Sequence, residues 1–207
     1  MDRLIIVFAK NPELGKCKTR LAKSIGSEKA LEVYKKLIKH TAKIISNVSA
    51  SRAVFYSEKI QKNDFWDDSQ FHKSVQSSGH LGEKMQAAFE WGFAQGYSKI
   101  CIVGSDLFEL ETSDFEKAFL ELEQKDLVFG PANDGGYYLM GMSTFYKEAF
   151  LEKAWSTETV LKQTLKDLKN QNIAFLKTKT DIDIVEDLVK HPEFHHVIPH
   201  QILKKLT

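Results

Sequence analysis

The chain lacks the features that would commit it to a special environment. Cysteine occurs only at Cys17 and Cys101, neither in a CxxC pair, which argues against a disulfide framework or a thiolate metal site and fits a reducing compartment. Long apolar runs are missing too. The amino-terminal one extends only from Leu4 to Ala9 before Lys10, too short for a secretory core or a membrane span, so a cytoplasmic protein without a membrane span is expected. Net charge is nearly absent, with 29 Lys and Arg against 28 Asp and Glu. No global field draws nucleic acid or an anionic membrane to such a chain, and no nucleic-acid partner is expected. No repeat or linker interrupts the 207 residues, which fit a single α/β domain over 1–207 with a helical tail from about 192 to 207.

What is present is a rhythm of strand and helix. The run Leu4 to Ala9 reads as a central strand covered on both faces. Ser27 can cap a helix in which Ala30, Tyr34, Leu37, Ile38, Thr41, Ile44, Ile45 and Val48 recur at helical spacing. Ala53 to Tyr56 reads as a strand, and the stretch from Phe65 to Ser78 has no clear period. A helical stripe from Leu81 to Phe93 closes at Gly96, and Ile100 to Val103 forms the next strand. Ser113 and Glu116 can make a capping box for a helix carrying Phe115, Ala118, Phe119 and Leu122. Strands at Leu127 to Phe129, Tyr137 to Met142 and Ile173 to Leu176 follow, with a helix opening at Trp155-Ser156-Thr157 between the last two. The end reads as a short helix, a break at Pro192 and a terminal helix. Such alternation implies a mostly parallel sheet with helices on both faces and a ligand crevice at the carboxyl ends of the strands.

Four segments carry chemistry at such strand ends. In FAKNPELGKCKTRL, Lys10, Lys16, Lys18 and Arg20 gather directly after the first strand. Gly15 lets backbone approach a ligand, the lysines supply point charges, Arg20 can fork two oxygens, and a helix start near Thr19 adds oriented N–H groups. Phosphate suits all of these, and a solvated basic loop is the alternative. Cys17 lies in this loop, where its thiol could be activated by the lysines, but a passive role is expected for it and for Cys101. In VGSD, Asp106 stands where a strand delivers a carboxylate that can hold Mg²⁺ or Mn²⁺, or simply make a turn. In GPANDGGYYLMGM, Asp134 can act as a general base, bind sugar hydroxyls or shape a β-turn, and only one of Tyr137 and Tyr138 can face the crevice. In TDIDIVEDL, Asp181 and Asp183 share a face, and Asp183 either joins Asp106 on a metal or caps the helix beginning at Ile184. His191 and His195 have zinc-helix spacing, but Pro192 interrupts it and no HExxH glutamate is present.

Together FAKNPELGKCKTRL, SSGHLGEKM, VGSD, GPANDGGYYLMGM, WSTETVL and DIDIVEDL closely resemble the bacterial DUF2064 family of GT-A-like proteins, which includes arsenosugar-biosynthesis-type glycosyltransferases. The similarity spans roughly residues 3 to 190. It implies a GT-A, or SpsA-like, nucleotide-diphospho-sugar transferase fold, related to the guanylyltransferases of molybdenum-cofactor synthesis. By that resemblance, residues Ala9 to Arg20 wrap the nucleotide, with Ala9, Lys10, Gly15, Lys16, Thr19 and Arg20 in contact. Gly82, Glu83, Lys84 and Ser105 line the same pocket, and Asp106 and Asp183 take the metal positions. The family often has Cys-Pro where this chain has Leu107-Phe108, and Thr-Pro where it has Ile184-Val185.

These readings converge on a metal-dependent transferase moving a sugar from a nucleotide-diphosphate donor to a small-molecule acceptor. Lys16 and Arg20 assist the leaving diphosphate, and Asp134, Gly135, Gly136 and Tyr137 meet the acceptor or sugar. Nucleotidyl transfer from a nucleoside triphosphate, with release of pyrophosphate, would use the same cations and metal. A non-catalytic nucleotide-binding protein is the third possibility.

Overall fold

A computed structural model describes residues 2–206. The first strand, β1 (Arg3–Ala9), is buried along most of its length and is followed by helices α1 (Thr19–Ile25) and α2 (Ser27–Ser46). Strands β2 (Ser51–Tyr56) and β3 (His72–Val75), helix α3 (Leu81–Ala94), strand β4 (Lys99–Gly104), helix α4 (Thr112–Glu121) and strands β5 (Leu127–Pro131) and β6 (Tyr137–Met142) come next. A 3₁₀ turn, helix α5 (Val160–Asp167), strand β7 (Ile173–Phe175), helix α6 (Val185–Val189), a second 3₁₀ turn and helix α7 (His200–Leu206) complete the chain.

The strands form one seven-stranded sheet in the order β3-β2-β1-β4-β6-β5-β7. Every neighbouring pair is parallel except those involving β6, which runs antiparallel to β4 and β5. The expectation of a mostly parallel sheet holds, and β6 departs from it because the short turn through Gly135-Gly136 can return the chain only antiparallel. One face packs on α2 and α4 through Ile5, Val7, Ile38, Val54, Cys101, Phe115 and Phe119. The other packs on α3 through Leu4, Ile6, Phe55, Met85, Phe89, Ile100 and Phe129. A satellite core joins α1 and α2 to α6 and the second 3₁₀ turn through Leu21, Leu37, Ile182 and Phe194.

Local signals differ from the sequence expectations in places. Gly26, at φ 86°, precedes α2 as its N-cap, so Ser27 is the first helical residue. The box at α4 uses Glu111 and Asp114, whose carboxylate accepts the Glu111 N–H at 2.8 Å; Ser113 instead donates to Glu111 Oε2. Helix α5 starts at Val160, because Thr157 is engaged in a turn with Ala154 O and Thr159 Oγ1. Gly96, at φ 87°, ends α3 as expected.

Chain order reverses at β1, which pairs with β2 on one side and β4 on the other; Phe8 lies opposite Gly104. The loops after β1 and β4 therefore leave the sheet side by side, at the place where a doubly wound sheet has its ligand crevice. A buried ion pair joins α4 to the segment that follows β7. Lys179 Nζ contacts Asp114 Oδ2 and donates to Glu109 O at 2.7 Å, with both side chains under a tenth exposed. The backbone of Lys179 continues the sheet beyond β5 and β7, bonding Pro131 O and Asn133 N at 3.1 Å each. Removing one partner leaves the other charge buried and alone, so Lys179→Met is expected to cost about 3–5 kcal/mol in urea unfolding. The double variant Lys179→Met/Asp114→Leu should recover all but about 1–2 kcal/mol, the remainder reflecting the lost cap at Glu111.

Candidate functional site

The loop after β1 is built on Asn11, which is 3% exposed. Its Oδ1 accepts from Glu58 N at 3.0 Å and Lys59 N at 3.3 Å, and its Nδ2 donates to Lys59 O at 2.8 Å. A polar side chain so buried is tolerated because both its amide oxygen and its amide nitrogen meet backbone partners. The Tyr34 hydroxyl from α2 receives the Lys10 N–H at 2.8 Å and lies 3.0 Å from Ser105 Oγ, tying the β1 loop to the β4 loop. Cys17 donates to Asn11 O, and burial pushes its thiol pKa up against the pull of the neighbouring lysines.

Four cations enter this loop, and the fold sends them in different directions. Lys16 points outward, 2.8 Å from Glu13 and 3.2 Å from Glu58. Lys18 adopts a left-handed backbone at φ 48° as the residue preceding α1. Its side chain turns inward, and its ammonium donates to Asp106 Oδ2 at 3.0 Å and lies 3.9 Å from Asp183 Oδ1. Arg20 reaches Asp183 Oδ2 from the solvent side at 2.6 Å. Lys10 is exposed at the mouth, where its charge acts on Asp106. Lysine spacing does not reveal which ammonium turns inward; that depends on the helix start at Thr19.

The segment carrying Asp181 and Asp183 reaches the site because Ile182 N donates to Asp106 O at 3.3 Å while the Ile182 side chain is fully buried. Both flanking aspartates then project into the crevice, as their shared face implies. Asp183 does not cap α6. Asp187 does so, accepting from Asp183 N and Ile184 N at 3.2 Å each, which leaves the Asp183 carboxylate free for Lys18 and Arg20. Burial works to raise the Asp106 pKa, but the Lys18 charge and its hydrogen bond override this and hold the group below the usual carboxylate range. Among the described residues, Asp181 has no such ion-pair partner. Burial, reinforced by the negative charges of Asp106 and Asp134, pushes its pKa up to about 6.

Asp134 shapes its own turn, its Oδ1 accepting Gly136 N at 2.9 Å. Gly135 has φ 87°, and a Cβ there would sit 2.0 Å from Glu158 O, so both backbone conformation and space demand glycine. The two tyrosines point to opposite faces of β6. Tyr137 reaches Met85 on α3, whereas the Tyr138 hydroxyl donates to Lys177 O. At the start of α3, Glu83 and His80 form a capping box, and the Trp155 ring lies 2.4 Å from the place a Gly82 Cβ would take. Among the described residues, neither Glu83 nor Lys84 has a side-chain hydrogen bond or ion pair to the acidic group around Asp106.

Hard carboxylate oxygens are suitable ligands for Mg²⁺ or Mn²⁺. Among the described residues, no cluster of three or more His, Cys, Asp or Glu forms a complete cage. Asp106 and Asp183, both within reach of the Lys18 ammonium, bring two such carboxylates together.

The reversed sheet order and the charged loops at its switch point define a GT-A-like α/β fold. A protein from Desulfovibrio desulfuricans G20, provisionally named a nucleotide-diphospho-sugar transferase, is 28% identical, with 91% of this chain and 85% of that one covered at a TM-score of 0.84. Two more distant structures share the fold alone. One is a cytidylyltransferase from Leptospira borgpetersenii, at 11% identity, TM-score 0.55 and 91% and 84% coverage of this chain and that one. The other is a Mycobacterium tuberculosis H37Rv protein in complex with manganese, at 9%, 0.58, and 92% and 97%. No curated protein matches the chain. The family model described as "uncharacterized protein conserved in bacteria (DUF2064)" matches residues 40–157. The chain belongs to this family. Among the described residues, no helix is long and apolar enough to cross a membrane.

Asp181 supplies a pH test. Its raised pKa means the folded protein binds more protons than the unfolded chain between about pH 4 and 6, so its contribution is favourable in acid and is lost as pH rises through 6. Asp181→Asn is expected to stabilise the metal-free protein by about 1–3 kcal/mol at pH 7.5. The gain should vanish near pH 4, as read from thermal melts across that range.

Proposed function

We propose that the chain is a nucleotide-using transferase that moves a sugar from a nucleotide-diphosphate donor to a small-molecule acceptor, with Mg²⁺ or Mn²⁺ held by Asp106 and Asp183. The observation that carries this reading is the meeting of Lys18 and Arg20 with Asp106 and Asp183 at the switch point of the sheet. Cations beside paired carboxylates suit a diphosphate together with its counter-ion, and the likeness to the Desulfovibrio protein supports the same class of donor. The metal, when bound, would neutralise charge building on the departing diphosphate.

The chain's own residues do the rest. Ala9, Lys10, Gly15 and Thr19 border the phosphate path, and Ser105, held by Tyr34, keeps the β4 loop against it. Arg20 is two-thirds exposed and able to swing from Asp183 to a phosphate. Lys16 contributes a longer-range positive charge from its place beside Glu13 and Glu58. Gly82, Glu83 and Lys84, at the start of α3, form the nucleotide side of the crevice. Asp134 spends Oδ1 on its turn; its other oxygen, beside Gly135, Gly136 and Tyr137, is offered to an acceptor hydroxyl as base or binding group.

With UDP-, GDP- and TDP-sugars screened beside Mn²⁺, the matching donor at a hundred times its Kd should add about 2.7 kcal/mol of stability, roughly 5–10 °C in Tm. Asp106→Ala should abolish the Mn²⁺-dependent part of that shift, and Arg20→Ala should weaken donor binding about 10- to 100-fold in calorimetry. Sustained pyrophosphate release from a nucleoside triphosphate and a metabolite extract would replace glycosyl with nucleotidyl transfer. Absence of any nucleotide-dependent shift would leave the transferase reading without support.

A further inference from the structure

Lys18 sits where a phosphate-binding cation is least expected before phosphate arrives. Its side chain is only 6% exposed, and its ammonium touches Asp106 at 3.0 Å while lying 3.9 Å from Asp183. These are the two carboxylates read above as metal ligands. One cation between them already occupies the position from which a second would be held, and in a partly buried cleft two cations sharing those oxygens repel strongly. The backbone reinforces the placement. Lys18 holds a left-handed conformation, uncommon for a residue with a side chain, and its carbonyl accepts Ala22 N at 2.8 Å to start α1. Arg20 differs: it is 66% exposed and approaches Asp183 alone, from outside.

We propose that Lys18 holds the seat of the divalent cation while nucleotide is absent. Mg²⁺ or Mn²⁺ then enters together with a nucleotide, whose phosphates draw the ammonium off Asp106 and Asp183. The inference rests on the reading of those two aspartates as metal ligands. Metal and nucleotide become mutually dependent, each raising the affinity of the other by the same factor.

The test is Mn²⁺ binding to the intact protein, followed by the electron paramagnetic resonance signal of the free ion. Without nucleotide, Lys18→Met and Lys18→Gln are expected to bind Mn²⁺ about ten-fold or more tighter than the unaltered protein. Lys18→Arg, which keeps the charge, should bind as weakly as the unaltered protein, and Arg20→Met should change affinity less than about three-fold. Thermal melts establish that each variant is folded, and Lys18→Gln serves if Lys18→Met is not. Equal affinity in the unaltered protein and both neutral variants, binding by none of them, or an equal gain in Arg20→Met would each overturn the proposal. UDP, GDP and TDP are then added to the unaltered protein, and one of them should raise Mn²⁺ affinity about ten-fold. If the neutral variants open the seat but no nucleotide does, Lys18 stands as its occupant and the nucleotide reading falls instead.

Discussion

An ammonium placed between carboxylates from distant parts of the chain is the contact on which the crevice depends. Asp106 follows β4, Asp183 follows β7, and Lys18 precedes α1; Lys18 and Asp106 are 88 residues apart and Arg20 and Asp183 are 163 apart. Asp106, Asp134, Asp181 and Asp183 at one strand edge would repel one another in a cleft of reduced dielectric. Lys18 offsets that repulsion for the pair it touches. Asp181, left without a close cation, shows what remains of it in a pKa raised to about 6.

The segments that carry these charges are brought together by apolar packing, backbone pairing and a buried ion pair. Ile182 is buried and donates its N–H to Asp106 O, fixing which way the two neighbouring aspartates face. Lys179, paired with Asp114, holds the segment just before them against α4, and Asn133 Nδ2 donates to Thr180 Oγ1 at 2.6 Å to join the Asp134 turn to the same segment. On the other side, Tyr34 and Asn11 fasten the β1 loop to its neighbours. Charged groups close together are thus positioned by buried packing, backbone pairing and a buried ion pair, which keep the carboxylates in place while the cations beside them can move.

Much of the fold was legible along the chain. The apolar run at Leu4, the β-branched run at Ile100 and the helical stripes of α2 and α3 each carried their own periodicity, and the order of elements implied the parallel sheet. The antiparallel β6 was less evident, since an apolar run looks the same in either direction. Helix α5 begins later than its sequence suggests because Thr157 has the chemistry of a cap but its hydroxyl is engaged in the preceding turn. Of the site, the aspartates stood out as carboxylates at strand ends. Tyr34 did not, because a tyrosine on the buried stripe of a helix reads as core until its hydroxyl is seen to have polar neighbours.

The sequence by itself determined which residue types lie at the ends of β1, β4 and β6, because strand ends and glycine turns are encoded locally. Only the tertiary structure decided that Lys18 rather than Lys16 faces Asp106, that Asp183 is free of capping, and that Asp181 is left unpaired. Those outcomes depend on helix starts, on burial of Ile182 and on contacts between segments far apart in the chain, and no local pattern records the direction in which a long, flexible side chain finds its charge partner.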